Sequence, residues 1–293
     1  MSDSARPPLS IPNFRDAGAF LNKVIGRIRI KPGMVYRSGR PDDASFQDRQ
    51  RLRNTYKLRT IIDLRTKTEH VQQAQKRDTK IKSSPAALQS NDEAAEPVKI
   101  PGINYYEINF NGTAFNKLLL WKLSWWELVR LVTLMVFGYR NEAIQILAPT
   151  MNTMGLVGIA KSLLEVSKPE IRQVFEIYSE ERNYPVLVHC TQGKDRTGLV
   201  VMLLLGLLSE NSLDAIEKDY LISEKGLESE KNEMLKELEK VGLSAEFTAC
   251  DPDMVKEVFG HIHEKYGSIE TYLESCGVGK EMQEKIRSIL CCS

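Results

Sequence analysis

Ten consecutive residues, HCTQGKDRTG at positions 189–198, gather more reactive side chains than any other part of the chain. They follow a short apolar run, Pro185 to His189, that reads as a strand. They precede Leu199 to Leu208 (LVVMLLLGLL), a run apolar enough to be a buried helix. A loop that curls from a buried strand into a helix start turns its amide N–H groups inward, where they have no intrahelical acceptor. Thr191, Gln192, Gly193 and Lys194 would then line an anion cradle at the positive end of a helix dipole. Cys190 lies at its floor, where the same field favours thiolate over thiol. Arg196 supplies a planar fork for two oxygens of a tetrahedral oxyanion, and grips harder as charge builds in a transition state. Thr197 can hydrogen-bond the sulfur when it leaves. Gly193 permits close backbone approach and Gly198 tight packing of the helix. His189 is expected to bond loop carbonyls rather than move protons, and Lys194 adds a second cation beside the cradle. An oxyanion receptor over a soft nucleophile implies phosphomonoester hydrolysis through a phosphocysteine.

Such a reaction needs a group to protonate the leaving oxygen. Two aspartates qualify. Asp63 lies near the end of the strand-like run Thr60 to Leu64, and in a parallel sheet the strand C-termini converge on one site. Asp195 lies inside the loop itself. The competing reading of Asp63 is a strand-end carboxylate paired with Arg37 or Arg65, and both readings stay open at this level. Arg15 and Asp16 are expected to brace the fold near the site.

The elements that must position these groups follow from composition and pattern. The chain has 293 residues, with 40 Lys+Arg against 39 Asp+Glu and 42% hydrophobic residues, the balance of a globular protein with a sizeable core. A net charge of +1 argues against a nucleic-acid wrapper. Five cysteines without a CxxC pair exclude a zinc ribbon and a disulfide scaffold. His70, His261 and His263 show no ligand spacing, so no metal and no cofactor are expected. The N-terminal residues lack an apolar core, so no secretory signal is read and the expected location is cytoplasmic.

Val35–Ser38, Thr60–Leu64, Ile103–Phe110 and Pro185–His189 read as strands, alternating with helices over 45–57 and 156–182. That alternation indicates an α/β sheet with helices on both faces. Residues 1–12 read as a loose arm and 13–293 as one domain. Within it lie a polar loop insertion at 72–101, an amphipathic helical insertion at 113–150 and a helical C-terminal part at 212–293. Fifteen of the twenty residues from Leu118 to Phe137 are apolar, including Trp121, Trp125 and Trp126, the only tryptophans. Lys122, Glu127 and Arg130 weigh against a spanning helix. The expectation is one amphipathic core or lid helix, with peripheral membrane contact as the alternative. The tail pair Cys291 and Cys292 does not form a CaaX signal, and acylation of either stays an open alternative.

At this point the chain resembles a known family. HCxxGKDRTG resembles the signature loop of the cysteine-dependent tyrosine phosphatases, in the branch of secreted bacterial PtpB-type enzymes and their fungal homologues. Residues 13–18 (NFRDAG), 35–39 (VYRSG), 62–65 (IDLR) and 219–221 (DYL) agree with it. The resemblance implies a mostly parallel central sheet flanked by helices, and catalysis by Cys190 and Arg196. It favours Asp63 as the acid, with Asp195 and Lys194 shaping substrate charge preference, and Arg65 supporting the site. The implied substrates are phosphotyrosine or phosphoserine/threonine proteins, with phosphoinositides or inositol phosphates as the alternative and no nucleic-acid partner. A phosphate-binding module without turnover, and a redox or sulfur-transfer cysteine enzyme, are the competing classes. Intact Cys190, Arg196 and Thr197 favour the hydrolase.

Overall fold

The computed structural model describes residues 9–42, 44–71, 73–75, 99–209 and 212–292. Strands β1 (Arg15–Asp16), β2 (Val35–Ser38), β3 (Thr60–Asp63), β4 (Asn104–Glu107) and β5 (Val186–His189) form a sheet in the order β1-β2-β5-β3-β4. β1 runs antiparallel to β2, and the other pairs are parallel. This is the mostly parallel α/β sheet that the alternation of elements implies. β5 is central. Ser38 and Asp63 are both registered opposite His189, so the C-terminal ends of β2, β5 and β3 meet where Cys190 begins.

Side chains alternate across the sheet with the period of two that a strand imposes. Val186, Val188, Val35 and Ile62 enter the larger core, and Leu187, Tyr36 and Ile61 enter a smaller one on the opposite face. The helix after the loop, Asp195–Leu208, is buried from Thr197 to Leu208. Its continuous apolar sequence is what a helix with no solvent face requires.

Around this frame pack α1 (Ala17–Ile25), α2 (Phe46–Asn54), α3 (Gly112–Trp121), α4 (Trp125–Val136), α5 (Arg140–Val166), α6 (Lys168–Tyr178) and α7, the loop-following helix Asp195–Leu208. The C-terminal part adds α8 (Leu213–Gly226), α9 (Lys231–Val241), α10 (Met254–Tyr266), α11 (Ile269–Ser275) and α12 (Lys280–Leu290). Start signals are local: Asp16 caps α1 by accepting from Ala19 N at 2.8 Å, and Ser45 caps α2 through Asp48 N.

Several expectations change. The stretch 118–137 is two helices, because Ser124 and Glu127 form a capping box that starts a new helix at Trp125. In α4 only Leu131 is buried, so this is not a core helix. The helical insertion does not end at 150: α5 runs on to Val166, interrupted at Gly155, whose φ is 62° and ψ −177°. By length and composition Glu142–Val166 could cross a bilayer. The same stretch contains Pro149 and the Gly155 break, and Leu147, Met151 and Val157 pack on the larger core. Of the expected strand 103–110, only Asn104–Glu107 pairs, as an edge.

The arm 1–12 is docked from residue 9 onward. Ile11 is buried in the smaller core, and Ser10 N donates to the Asp48 carboxylate at 2.9 Å. Residues 1–8 and most of the polar insertion 72–101 lie outside the described residues.

The tail is sewn into the body. Ile30 and Cys291 form an antiparallel bridge, Lys31 N donates to Leu290 O at 2.7 Å, and Cys292 N donates to Arg29 O at 3.0 Å. Leu290 is fully buried. Leu290→Ala is therefore expected to cost about 3 kcal/mol through lost burial and a cavity. Urea unfolding followed by far-UV circular dichroism measures it, and an unchanged midpoint would show that the tail contributes nothing to the core.

Candidate active site

The loop between β5 and α7 is shaped by where its carbonyls go. Five consecutive carbonyl oxygens, Cys190 to Lys194, each have a donor. Cys190 O lies 3.2 Å from His189 Nδ1, a contact that requires the ring proton on Nδ1. Thr191 O accepts from Arg40 N at 3.1 Å. Gln192 O accepts from Asn13 Nδ2 at 3.4 Å, and Gly193 O from the same amide at 2.9 Å and from an Arg37 Nη at 2.8 Å. Lys194 O accepts from Gly198 N at 2.9 Å, with Arg37 at 3.5 Å. With the carbonyls turned outward, the amides are left to the concave side, and Gly193 N–H donates to Cys190 Sγ at 3.3 Å.

Glycine is obligatory at 193. Its φ is +68°, and a Cβ there would fall 2.0 Å from Ser38 O. At Gly198 a Cβ would come within 3.3 Å of the Tyr220 ring and 3.5 Å of Arg37.

Arg37 is fully buried and anchored by Asp219 on α8, which also takes Arg15 Nε at 2.7 Å. Burial alone would push the Asp219 carboxyl up; Arg37 and Arg15 outweigh it and hold the group ionised, below the usual carboxylate range. Arg15 thus braces the loop indirectly, and Asp16 caps α1.

Arg196 is held by a residue that the sequence reading did not single out. Its two Nη atoms donate to the Glu69 carboxylate at 2.7 and 2.6 Å, and one also reaches Leu64 O at 3.2 Å. The same carboxylate accepts from Thr191 Oγ1, and from Thr66 N and Oγ1, both at 2.9 Å. Residues 67–71 are helical, and Thr66 with Glu69 closes the capping box that begins them. The signal was therefore present as Thr66-Lys67-Thr68-Glu69, four residues past Ile62. Burial would push the Glu69 carboxyl up, but Arg196 and the hydroxyl donors bring it down to about 2. Of the five N–H groups of Arg196, two remain for an anion among the described residues.

The other expected site residues are placed as follows. Cys190 is buried at the loop's start, 3% exposed. Lys194 does not present a second cation: its side chain is fully buried, and its ammonium donates to Phe247 O at 2.8 Å and Ala249 O at 2.6 Å. A buried ammonium needs acceptors, and the carbonyls ahead of α10 supply them. Thr197 Oγ1 is buried without a hydrogen-bond partner among the described residues, so its bond to the sulfur is not made.

Asp63 takes the paired reading. It accepts from Arg65 Nε at 3.0 Å and Nη at 2.7 Å, with His189 Nε2 and His70 Nε2 each 3.5 Å away. Arg65 continues to Asp42. Burial would push the Asp63 carboxyl up, and His189 and Arg65 reverse this and hold it far below the usual carboxylate range. Burial in turn pushes the His189 imidazole down. Asp195, in the first turn of α7, has a side chain 40% exposed, with Oδ1 lacking a hydrogen bond and 3.7 Å from Lys194 Nζ.

Beside the loop lies a small, open cavity lined by Thr191, Gln192, Arg40, Glu230 and Met234. Among the described residues no group of three His, Cys, Asp or Glu is placed to hold a metal ion.

Comparison with known proteins agrees with this geometry. A sequence model of the tyrosine phosphatase family matches residues 8–292. A tyrosine-protein phosphatase of Nostoc commune is 29% identical over 130 residues, 41% of this chain and 44% of that protein. The triple specificity protein phosphatase PtpB of Mycobacterium tuberculosis is 31% identical over 121 residues, 36% of this chain and 44% of that protein. The inositol diphosphatase DSP2 of Oryza sativa subsp. japonica is 37% identical over 51 residues, 17% of this chain and 25% of that protein. The chain spans less than half the length of these curated relatives.

The Glu69 clamp has a pH signature. A carboxyl whose folded value lies below its unfolded value of 4.5 contributes stability above that pH, and the contribution is lost as pH falls towards about 2. Wild type should therefore exceed Glu69→Gln in stability above about pH 4.5, with the difference shrinking towards zero near pH 2. Urea unfolding of both proteins across that range measures it, and a pH-independent difference would rule out the ionised clamp.

Proposed function

Because the chain belongs to the tyrosine phosphatase family, we propose that it hydrolyses phosphomonoesters through a phosphocysteine at Cys190. The observation that carries this reading is the loop itself: a buried Cys190 at the floor of a carbonyl-out, amide-in turn, with Arg196 clamped beside it. The amides and the two remaining Arg196 N–H groups bind the phosphoryl oxygens. Cys190 Sγ, as thiolate, attacks phosphorus; the S–P bond forms and the P–O bond to the leaving group breaks. Asp195 donates its proton to that departing oxygen. Water then attacks phosphorus, Asp195 takes its proton back, and S–P cleavage releases inorganic phosphate and the thiolate. In this second step Thr197 Oγ1, which is buried and without a partner among the described residues, would hydrogen-bond the leaving sulfur.

Asp195 is preferred over Asp63 as the acid on charge and access. Asp63 is held ionised by Arg65, whereas Asp195 is partly exposed in the turn that carries Arg196. The proposed substrates are proteins phosphorylated on tyrosine or on serine and threonine. A fully buried Lys194 offers no contact to a second phosphate, which suits a substrate with one. The match to the rice inositol diphosphatase supports inositol phosphates as the second reading.

Cys190→Ser is expected to lower hydrolysis of p-nitrophenyl phosphate to background, and wild-type turnover no greater than the variant's would overturn the enzyme reading. Asp195→Asn should slow alkyl phosphates by about 10²-fold or more while barely affecting the good leaving group p-nitrophenolate. If Asp63→Asn shows that pattern and Asp195→Asn does not, the acid is Asp63. Phosphotyrosine peptides, phosphoserine peptides and inositol phosphates assayed side by side decide the substrate class.

A further inference from the structure

Exposed apolar side chains are concentrated between Trp121, at the end of α3, and Tyr139, just past α4. Trp121, Trp125 and Trp126 are 88%, 71% and 79% exposed, and Val132 and Val136 are 51% and 75% exposed. At about 100° per residue, Trp125, Val129, Val132 and Val136 lie within about 60° of one another on α4, with Trp126 at the edge of that stripe. Leu131 takes the opposite, body-facing side, so α4 is apolar on both faces. A helix with two apolar faces is ordinarily covered on both.

The polar groups in this segment are arranged to leave the stripe dry. Thr133, which falls on it, donates its hydroxyl to Val129 O at 2.8 Å, satisfying its donor within the helix. Glu127, the only acid between Lys117 and Tyr139, is drawn into the capping box by Ser124 N at 2.8 Å and Ser124 Oγ at 2.6 Å. The cations Lys117, Lys122 and Arg130 are all exposed, and Arg130 follows Trp126 around the helix. Three cations against one committed carboxylate suit an anionic surface. In a two-fold contact with a second copy, each cation would face the same positive rim, which disfavours self-association.

We propose that α4, with Trp121 at the end of α3, docks on the surface of an anionic lipid bilayer, the helix lying in the interfacial plane. Tryptophan is the side chain that interfacial helices place at headgroup depth, and lysine and arginine beside it draw the helix to acidic lipids. The docked element is tied to the mouth of the catalytic loop. α4 packs on α5, whose Gln145 and Asn152 amides donate to Lys240 O at 3.0 Å and Gly242 O at 3.1 Å at the end of α9. Met234 of α9 in turn lines the cavity beside Thr191 and Gln192. The docked helix is thus connected to the catalytic loop through α5 and α9.

The three tryptophans are the only ones in the chain, so their emission reports this surface alone. With the full-length chain, vesicles containing phosphatidylserine should co-sediment the protein and shift its tryptophan emission to the blue. Pure phosphatidylcholine vesicles should do so more weakly. Trp125→Ser combined with Val132→Ser should lower the partition coefficient about tenfold or more. Lys122→Glu combined with Arg130→Glu should remove the preference for phosphatidylserine. All of these variants should hydrolyse p-nitrophenyl phosphate in vesicle-free buffer as wild type does, which shows that they fold. Failure of active wild type to co-sediment, or equal partition of wild type and the Trp125 variant, overturns the proposal. So does a wild-type dimer in sedimentation velocity that Trp125→Ser converts to a monomer, since that assigns the surface to a second copy. Loss of p-nitrophenyl phosphate hydrolysis bears only on the phosphatase reading, because binding is read without turnover.

Discussion

A loop that points its amides at an anion must point its carbonyls the other way, and here that other way is the protein interior. Each of five successive carbonyls therefore needs a donor. Two elements remote in sequence provide most of them, the Asn13 amide and the end of β2 with Arg37 and nearby Arg40, and His189 supplies one from beside the loop. Arg37 could not be buried alone, since an unpaired guanidinium in the interior would be prohibitive. Asp219 supplies the countercharge, and Arg15 completes the group. Much of the arrangement around the site is the working-out of this one demand.

The cations of the loop divide between presentation and construction. Arg196 stays near the concave side because Glu69 and Leu64 O take three of its N–H groups and leave two for an anion. Lys194, two residues earlier, spends its ammonium on the carbonyls of Phe247 and Ala249. Its charge still adds to the field around the loop, but it makes no contact available to a substrate. Counting basic residues in a phosphate loop therefore overstates how many phosphates it can hold.

The fold was largely legible in the chain. Short β-branched runs alternating with helical periods mark the parallel sheet, and LVVMLLLGLL marks a helix with no solvent face. At the site, the loop was legible because its residue types are local. What escaped was set by partners far away in sequence. Nothing near Lys194 announces that residues 247 and 249 will reach it, and Glu69 passes as an ordinary capping-box acid until the fold places Arg196 beside it. Asp63 was ambiguous for the same reason, because a strand-end carboxylate and an acid catalyst look alike until Arg65 is seen to close on it. Hydrophobicity alone makes 118–137 resemble one helix, and only the Ser124 and Glu127 capping box marks the start of the second.

The reach of Asp219 and Lys194 across the molecule bears on how this protein can change. The C-terminal helices are not an annex to a finished catalytic unit. They hold the acid that neutralises Arg37 and the carbonyls that accept the Lys194 ammonium. A shorter descendant ending near residue 212 would leave Arg37 without the Asp219 countercharge and the Lys194 ammonium without its carbonyl acceptors. Shuffling this tail for another would succeed only if the newcomer carried an acid and two carbonyls to the same places. Loop and tail are thus bound to vary together, one heritable unit divided in sequence but not in structure.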